Sequence, residues 1–275
     1  MKSCFRSLLA PVMLAALCSL GLFTSFVHGE IVAIIPSIDN SIFSESSNSN
    51  ALGSLFAGQN SSGQIRRGLL QFDIAGSIPT GATINSVSLG LFQLSRGGGA
   101  TAENFQLHRL LSSWGEGTSL GIGGGGSGAI ATLGDATWND RFFSTDPWAT
   151  PGGDFGAISG TATIGTAINT LYTFASQPGL VTDVQNWLNS PTTNFGWLLR
   201  ASSESTPSNA RSFASSENTN SSQRPTLTID YTAVPEPGSL ALVVAAVAGI
   251  FFRRYGRLRR MRMTLNASNT KSPFS

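Results

Sequence analysis

Flat aromatic side chains beside hydrogen-bonding groups are the most suggestive chemistry in this sequence. Indole rings can stack on the C–H face of a sugar ring, while carboxylates and amides bind its hydroxyl groups. Six residues offer this combination, namely Trp114, Glu116, Trp138, Asn139, Asp140 and Trp148. We therefore expect them to form a carbohydrate-binding surface that acts by stacking and hydrogen bonding, without bond cleavage.

A structural role is the alternative for each of these residues, because tryptophan is mostly buried in folded proteins. Trp114 and Trp138 could close one end of the fold. Asn139 and Asp140 could form a turn through bonds to their own backbone. Trp148 lies between two prolines in the loop segment 146–151, and it is the tryptophan that we expect to be most exposed.

Catalytic groups are scarce beyond the first 29 residues. His108 is the only histidine there, so a Ser-His-Asp site or a His-based metal site would depend on it. A β-sandwich polysaccharide lyase could use His108, Arg109 and Tyr172. A glycoside hydrolase would need two carboxylates at a suitable separation, and the fifteen Asp and Glu residues select no such pair. We predict a protein without catalytic activity.

Oxygen ligands crowd a segment near the start of the domain. Asp39, Asn40 and Glu45 could hold calcium, which binds carboxylate and amide oxygens. The ligand spacing of an EF-hand loop is missing, and a solvated loop of Asx and Ser residues is the alternative. We predict no cofactor, and structural calcium stays an open option.

The residues between Glu30 and Thr232 place short apolar runs between turn-forming residues, which is the pattern of an all-β protein. Within one run, Val87, Leu89 and Leu91 alternate with small or polar residues, as in a strand with one buried face. We predict a jelly-roll-like antiparallel β-sandwich. The predicted strands are Ile31–Ile38, Ser54–Ala57, Arg66–Asp73, Ala82–Leu94, Asn104–Leu111, Thr161–Ile164, Leu171–Phe174, Gly196–Ala201, Arg211–Ser215 and Thr226–Tyr231.

One short helix is predicted near the end of the domain. Its apolar stripe consists of Leu180, Val184, Trp187 and Leu188. Thr182 or Asp183 is the expected start, and 189–191 is the expected end. We expect the helix to pack under an edge of the sandwich, with Trp187 and also Trp197 in the core.

The first 29 residues have the three parts of a secretory signal peptide. Lys2 and Arg6 give a positive start, Leu8–Val27 is an interrupted apolar run, and small residues precede a cleavage position before Glu30. We therefore expect residues 30–232 to be an exported domain.

The exported part is acidic, although the whole chain has a formal charge of +2. Residues 30–237 contain eight arginines, no lysine and all fifteen Asp and Glu residues, which gives them a net charge of −7. Without clustered basic residues we expect no nucleic-acid partner. Both cysteines, Cys4 and Cys18, lie in the leader, so burial of apolar side chains must hold the domain together.

The segment 233–262 combines three features in a fixed order. They are a turn of Pro235, Glu236 and Pro237, a single apolar helix over 238–252, and a cluster of six arginines that opens with Arg253 and Arg254. Basic residues stay on the cytoplasmic side of a membrane, so this helix would anchor the chain in the cytoplasmic membrane with the domain outside. A buried core helix is the alternative, and a polar tail, 263–275, follows.

This order resembles the PEP-CTERM protein-sorting signal of exported bacterial proteins. The resemblance implies recognition by an exosortase-type transpeptidase that acts near the Pro-Glu-Pro turn. The product would then go to the cell surface, the extracellular matrix or the medium, after transient or stable anchoring through the helix.

The domain itself resembles the DNRLRE-type domain, also classed as carbohydrate-binding module family 96. The motifs that carry this resemblance lie, in order, at 66–73, 78–84, 114–117, 137–140, 183–187, 194–199 and 213–227. The resemblance covers Ile31–Tyr231 and implies a sandwich that binds polysaccharide. We thus expect an exported, non-catalytic polysaccharide-binding protein. A purely structural matrix protein without a discrete ligand is the alternative.

Overall fold

The computed structural model describes residues 29–122, 126–234, 246–250 and 253–254. The strands are β1 Gly29–Ile34, β2 Ile38–Phe43, β3 Asn48–Ser49, β4 Leu55–Gln59, β5 Ile65–Gln71, β6 Thr83–Arg96, β7 Glu103–Leu110, β8 Ala129–Ile130, β9 Asp140–Phe142, β10 Asp146–Pro147, β11 Phe155–Ile164, β12 Thr170–Phe174, β13 Trp197–Ala201, β14 Arg211–Phe213 and β15 Thr226–Thr232. One α-helix, α1 (Pro178–Asn189), and two 3-10 turns, Pro191–Thr193 and Ser221–Gln223, lie between them.

Residues 246–250 and 253–254 are helical. Of the helices within the described residues, none combines the length and the apolar character that a membrane crossing requires. Residues 1–28 of the predicted signal peptide, the Pro-Glu-Pro turn, most of the predicted helix 238–252 and the tail 263–275 lie outside the described residues.

The strands form two antiparallel layers, which confirms the predicted all-β sandwich. The first sheet has the order β1-β15-β6-β14-β4, with β12 on the opposite edge of β6. The second sheet has the order β4-β5-β13-β7-β11, and β2 also pairs with β5. The short strands β3 and β8 extend from β2, and β9 and β10 form a separate ribbon.

Strand β4 belongs to both sheets and turns the corner between them. Its residues Leu55–Ala57 pair with β14, whereas Gly58 and Gln59 pair with β5. Gly58 has a φ of +104°, and a Cβ atom there would lie 2.9 Å from the Cα of Ala210. The corner therefore requires glycine, both for its backbone conformation and for the close approach of the loop before β14.

The main core lies between the two sheets and has the predicted alternation. On β6, the side chains of Val87, Leu89 and Leu91 are fully buried, and Gln93 continues the same face. On β15, Leu227 and Ile229 are fully buried, whereas the residues that alternate with them are half-buried. Both strands thus present one apolar face to the core, as their sequences predict.

The single strand predicted over Ile31–Ile38 is wrong, because the chain is broken at Pro36. Strand β1 ends at Ile34 in the first sheet, and β2 begins at Ile38 in the second. Proline has no N–H to donate to a ladder, so it suits a point at which the chain leaves one sheet for the other. As a result, Asp39 and Asn40 lie in a buried strand, not in the solvated loop that we predicted.

Helix α1 carries the predicted stripe but starts earlier than predicted. Its buried apolar residues are Leu180, Val184, Trp187 and Leu188. The helix begins at Pro178, where proline is well suited to a first helical position, and it ends at Asn189 as predicted. Asp183 is therefore not a capping residue but lies in the middle of the helix, and its side chain is buried.

Asp183 joins the helix to the second sheet. Its Oδ2 accepts hydrogen bonds from Ser159 Oγ on β11 and from Trp197 Nε1 on β13, the latter at 2.9 Å. The indole of Trp187 lies next to that of Trp197, with 4.6 Å between the ring centroids. A single buried carboxylate thus fixes the helix, two strands and the largest aromatic pair of the core.

A second, smaller core lies on the outer face of the second sheet. The chain between β7 and β11, residues 111–154, folds back over this face. Trp114 and Trp148 of this excursion pack there on Ile42, Leu69 and Leu198 of the sheet. The second sheet is therefore covered on both faces.

Loss of the Asp183 carboxylate should destabilise the sandwich strongly. Asp183→Ala would leave the Trp197 N–H and the Ser159 hydroxyl buried without an acceptor, and we expect the free energy of unfolding to fall by roughly 2–5 kcal/mol. The matched control is Asp230→Ala on β15, where the carboxylate makes only an exposed bond to Asn85. Urea unfolding of the full-length chain measures both changes, and equal effects of the two variants would contradict the role of Asp183.

Candidate functional site

The structure brings the three predicted sugar-binding tryptophans together, with Trp114 and Trp148 buried in the second core and Trp138 packed against it. Trp114 and Trp148 are each only 4% exposed, so the prediction that Trp148 is the most exposed tryptophan is wrong. The indole N–H of Trp148 donates to the carbonyl of Thr137, and that of Trp114 donates to the carbonyl of Phe195, both at 2.9 Å. Neither ring has a free face for a sugar.

Trp138 is half-buried, and one face of its ring is already occupied. The guanidinium carbon of Arg67 lies 4.7 Å from the ring centroid. The same guanidinium pairs with Glu204 and donates to the carbonyl of Gly152, each at 2.7 Å. Arg67 and Trp138 thus form a stacked cation–π pair that is held in place on both sides.

Asn139 and Asp140 form a turn, which was the alternative to ligand binding. The hydroxyl of Thr137 accepts from the Asp140 N–H at 3.0 Å and donates to its carboxylate at 3.2 Å. The carbonyl of Asn139 accepts from the backbone N–H of Trp148 at 3.0 Å. These bonds hold the excursion in the conformation that buries Trp148.

The three predicted calcium ligands do not come together. Glu45 pairs with Arg66, with 2.6 Å between Oε1 and Nη2. The side chain of Asn40 is used internally, because its Oδ1 accepts from Ser49 Oγ and its Nδ2 donates to the Glu116 carbonyl. Asp39 has different neighbours, described next. The structure therefore does not group Asp39, Asn40 and Glu45 around one point.

Asp39 is instead the centre of a carboxylate cluster that joins three distant segments. The Asp39 N–H donates to Glu116 Oε1 at 2.9 Å, so the Glu116 carboxylate lies beside β2. Asp39 Oδ2 accepts from the Ser216 N–H at 2.7 Å, which brings Glu217 close. We call Asp39, Glu116 and Glu217 the carboxylate cluster.

Burial makes two members of the carboxylate cluster, Asp39 and Glu116, harder to ionise. Burial, followed by the nearby Glu217, raises the pKa of Asp39 to about 8. Burial also raises the pKa of Glu116, and the N–H of Asp39 opposes that change. The proton on Asp39 is therefore retained at neutral pH unless another positive charge replaces it.

Sequence reasoning found two members of this cluster in separate contexts and missed Glu217. Glu116 was predicted to bind sugar and Asp39 to bind calcium. The sequence offers one shared feature, because each glutamate follows a short apolar run and two serines. Glu116 follows these residues at 110–115, and Glu217 follows them at 213–216. Only the fold shows that they meet at Asp39.

The residues of the lyase alternative lie apart. His108 and Arg109 are neighbours on β7, so their side chains point to opposite faces of the sheet. The His108 ring is buried against Phe155, burial lowers its pKa, and Nδ1 lies 2.9 Å from the Gly156 carbonyl. Tyr172 lies on β12 of the first sheet, and its hydroxyl donates to Ala167.

The raised pKa of Asp39 should make the domain less stable as pH rises. Between pH 4 and pH 8 the folded chain keeps a proton that the unfolded chain has released, so the free energy of unfolding should fall by up to about 1.4 kcal/mol per pH unit. Asp39→Asn should flatten this dependence, and Asp230→Asn should preserve it. The measurement is urea unfolding from pH 4 to pH 9 with a chelator present, and an unchanged slope in Asp39→Asn would contradict the assignment.

The sandwich ends where a recognisable signal begins. Strand β15 ends at Thr232, and a family profile for the PEP-CTERM protein-sorting motif matches residues 233–257. Arg253 and Arg254 of this segment are helical and exposed. No curated protein matches the chain. The motif shows that this is an exported protein, associated with the cell envelope and sorted by an exosortase-type system.

Proposed function

We propose that the protein is a non-catalytic β-sandwich that the exosortase-type system delivers to the cell surface or the extracellular matrix, where it binds polysaccharide. The observation that carries the first part is the position of the sorting motif, which begins directly after β15. The sandwich is thus the cargo that the motif directs. The ordered motifs that resemble a carbohydrate-binding family support the second part.

The burial of the tryptophans moves the proposed binding surface to the other sheet. The outer face of the second sheet is covered by residues 111–154, whereas no described segment covers the outer face of the first sheet at β15, β6 and β12. We call this uncovered area the open face.

The open face carries hydroxyl groups with one aromatic ring. Thr228 pairs with Ser88, and Thr226 and Thr173 flank Gly90 from the two neighbouring strands. Phe92 pairs with Leu171, whose side chain is 58% exposed and lies over Gly90. Phe92 would stack on a sugar ring while the hydroxyls bind its polar edge, so the open face suits a neutral polysaccharide.

A purely structural matrix protein is the second candidate. The burial of Trp114 and Trp148 favours it, because the aromatic platform predicted from the sequence is not formed. In that case the sandwich would contribute bulk and spacing at the cell surface without a discrete ligand.

Affinity gel electrophoresis of the full-length chain distinguishes the two candidates. Gels that contain neutral polysaccharides should retard the protein and leave the polymer intact. Phe92→Ala should weaken this retardation roughly tenfold, because one stacking contact is lost.

The matched control is Phe142→Ala, another half-buried phenylalanine, which lies on β9 in the excursion and contacts Arg141. It should leave the retardation unchanged. The absence of retardation in every polymer would support the structural candidate, and a shortened polymer would refute a non-catalytic role.

Processing of the C-terminal segment has its own test. We propose that exosortase-type processing near Pro235–Pro237 removes the apolar and basic residues that follow. Mass spectrometry of the exported chain should then find a C-terminus close to this turn. An exported chain that ends at Ser275 would refute removal of the tail, while Arg253→Ala with Arg254→Ala should leave more unprocessed chain in the membrane fraction.

A further inference from the structure

The carboxylate cluster contains a buried acceptor that nothing in the described residues satisfies. Asp39 pairs in register with Leu70, a main-core residue, so its side chain points between the two sheets. The residue is fully buried. Oδ2 is bonded to the Ser216 N–H, but Oδ1 has no hydrogen-bond partner among the described residues. A buried oxygen of this kind is costly unless a further group binds it.

The cluster also lacks a positive charge. In the described residues, the ion pairs of the arginines involve Glu45, Glu204, Asp183 and Asp146, and none reaches Asp39, Glu116 or Glu217. The effects that shift the pKa values of Asp39 and Glu116 accordingly include no arginine. The three carboxylates therefore repel one another, and within the described residues this repulsion is opposed by hydrogen bonds, such as those from the Asp39 and Ser216 N–H groups, and not by a cation.

We propose that a calcium ion binds at Asp39 Oδ1 and the carboxylate of Glu116, and that Glu217 completes the site from its exposed side. The ion supplies both the missing partner of Oδ1 and the missing positive charge. Among the described residues, no three acidic, histidine or cysteine side chains are already grouped as a metal site. Asp39 and Glu116 are linked through the Asp39 N–H and would form the inner part of the site, and the exposed side chain of Glu217 would turn to complete it.

Calcium fits the donors better than other common metals. The cluster offers only oxygen ligands, which hard cations prefer, and calcium tolerates the irregular geometry that magnesium does not. The protein is exported, and extracellular modules commonly bind calcium with dissociation constants of roughly 0.1–1 mM.

The ion would have a structural consequence that is independent of polysaccharide binding. It would connect β2 of the second sheet, the start of the excursion at Glu116 and the loop after β14 at Glu217. In the described structure, Glu116 is joined to β2 by bonds from the Asp39 N–H and the Asn40 side chain, and Ser216 is joined to β2 by its bond to Asp39.

Thermal unfolding of the full-length chain at neutral pH tests the proposal. Calcium at about 10 mM, against a chelator, should raise the Tm by roughly 3–10 °C. Asp39→Asn and Glu116→Gln should lose this shift. The matched control is Glu45→Gln, which changes a carboxylate that is paired with Arg66 outside the cluster, and it should keep the shift.

Terbium luminescence gives a second readout. Terbium replaces calcium at oxygen sites and emits when a nearby tryptophan is excited, and Trp114 lies two residues before Glu116. Emission should appear in the unaltered chain, disappear as calcium is added, and be absent from Glu116→Gln. If Asp39→Asn does not fold, Glu116→Gln and Glu217→Gln decide the question. An unaltered chain whose Tm does not respond to calcium, or an Asp39→Asn variant that keeps the full response, would overturn the proposal.

Discussion

A buried tryptophan pair and the carboxylate beside it hold the sandwich closed. Trp197 of β13 contacts Trp187 of the helix, and Asp183 binds the indole N–H of Trp197. The exported part contains no cysteine, so no disulfide can take over this task. The tryptophan pair fixes the position of α1 against β13, and the bond from Ser159 to Asp183 fixes the position of β11 against the same helix.

Covering the second sheet has a functional consequence. The tryptophans of the 111–154 excursion form part of a second core, so their rings contact other side chains of the protein and not a ligand. A sandwich of two layers has two outer faces, and within the described residues no segment covers that of the first sheet at β15, β6 and β12. An extended partner that bound this face would meet threonine and serine side chains, with Phe92 and Leu171 as apolar contacts.

The strands could be predicted from the sequence because alternation is a local signal. Val87, Leu89 and Leu91 alternate with small residues whatever the partner strand is, and the helical stripe around Trp187 is equally local. The break at Pro36 was missed, since an apolar run reads through it. Exposure of Trp148 was predicted from its place between two prolines, but burial depends on whether a loop folds back on a sheet. The carboxylate cluster could not be predicted from local sequence, because its members come from distant parts of the chain: Asp39 and Ser216 are 177 positions apart.

The pairing of β1 with β15 decides how the sandwich would carry a mechanical load. Gly29 is opposite Thr232, so the two ends of the domain leave the sheet side by side. Tension between these ends would unzip the β1–β15 ladder one hydrogen bond at a time. Cleavage of the predicted signal peptide would free the β1 end, and a force on the C-terminal end would then enter the domain through β15. Strand β15 is paired on both edges, with β1 and with β6. Pulling it out of the sheet would therefore require the hydrogen bonds on both edges to break.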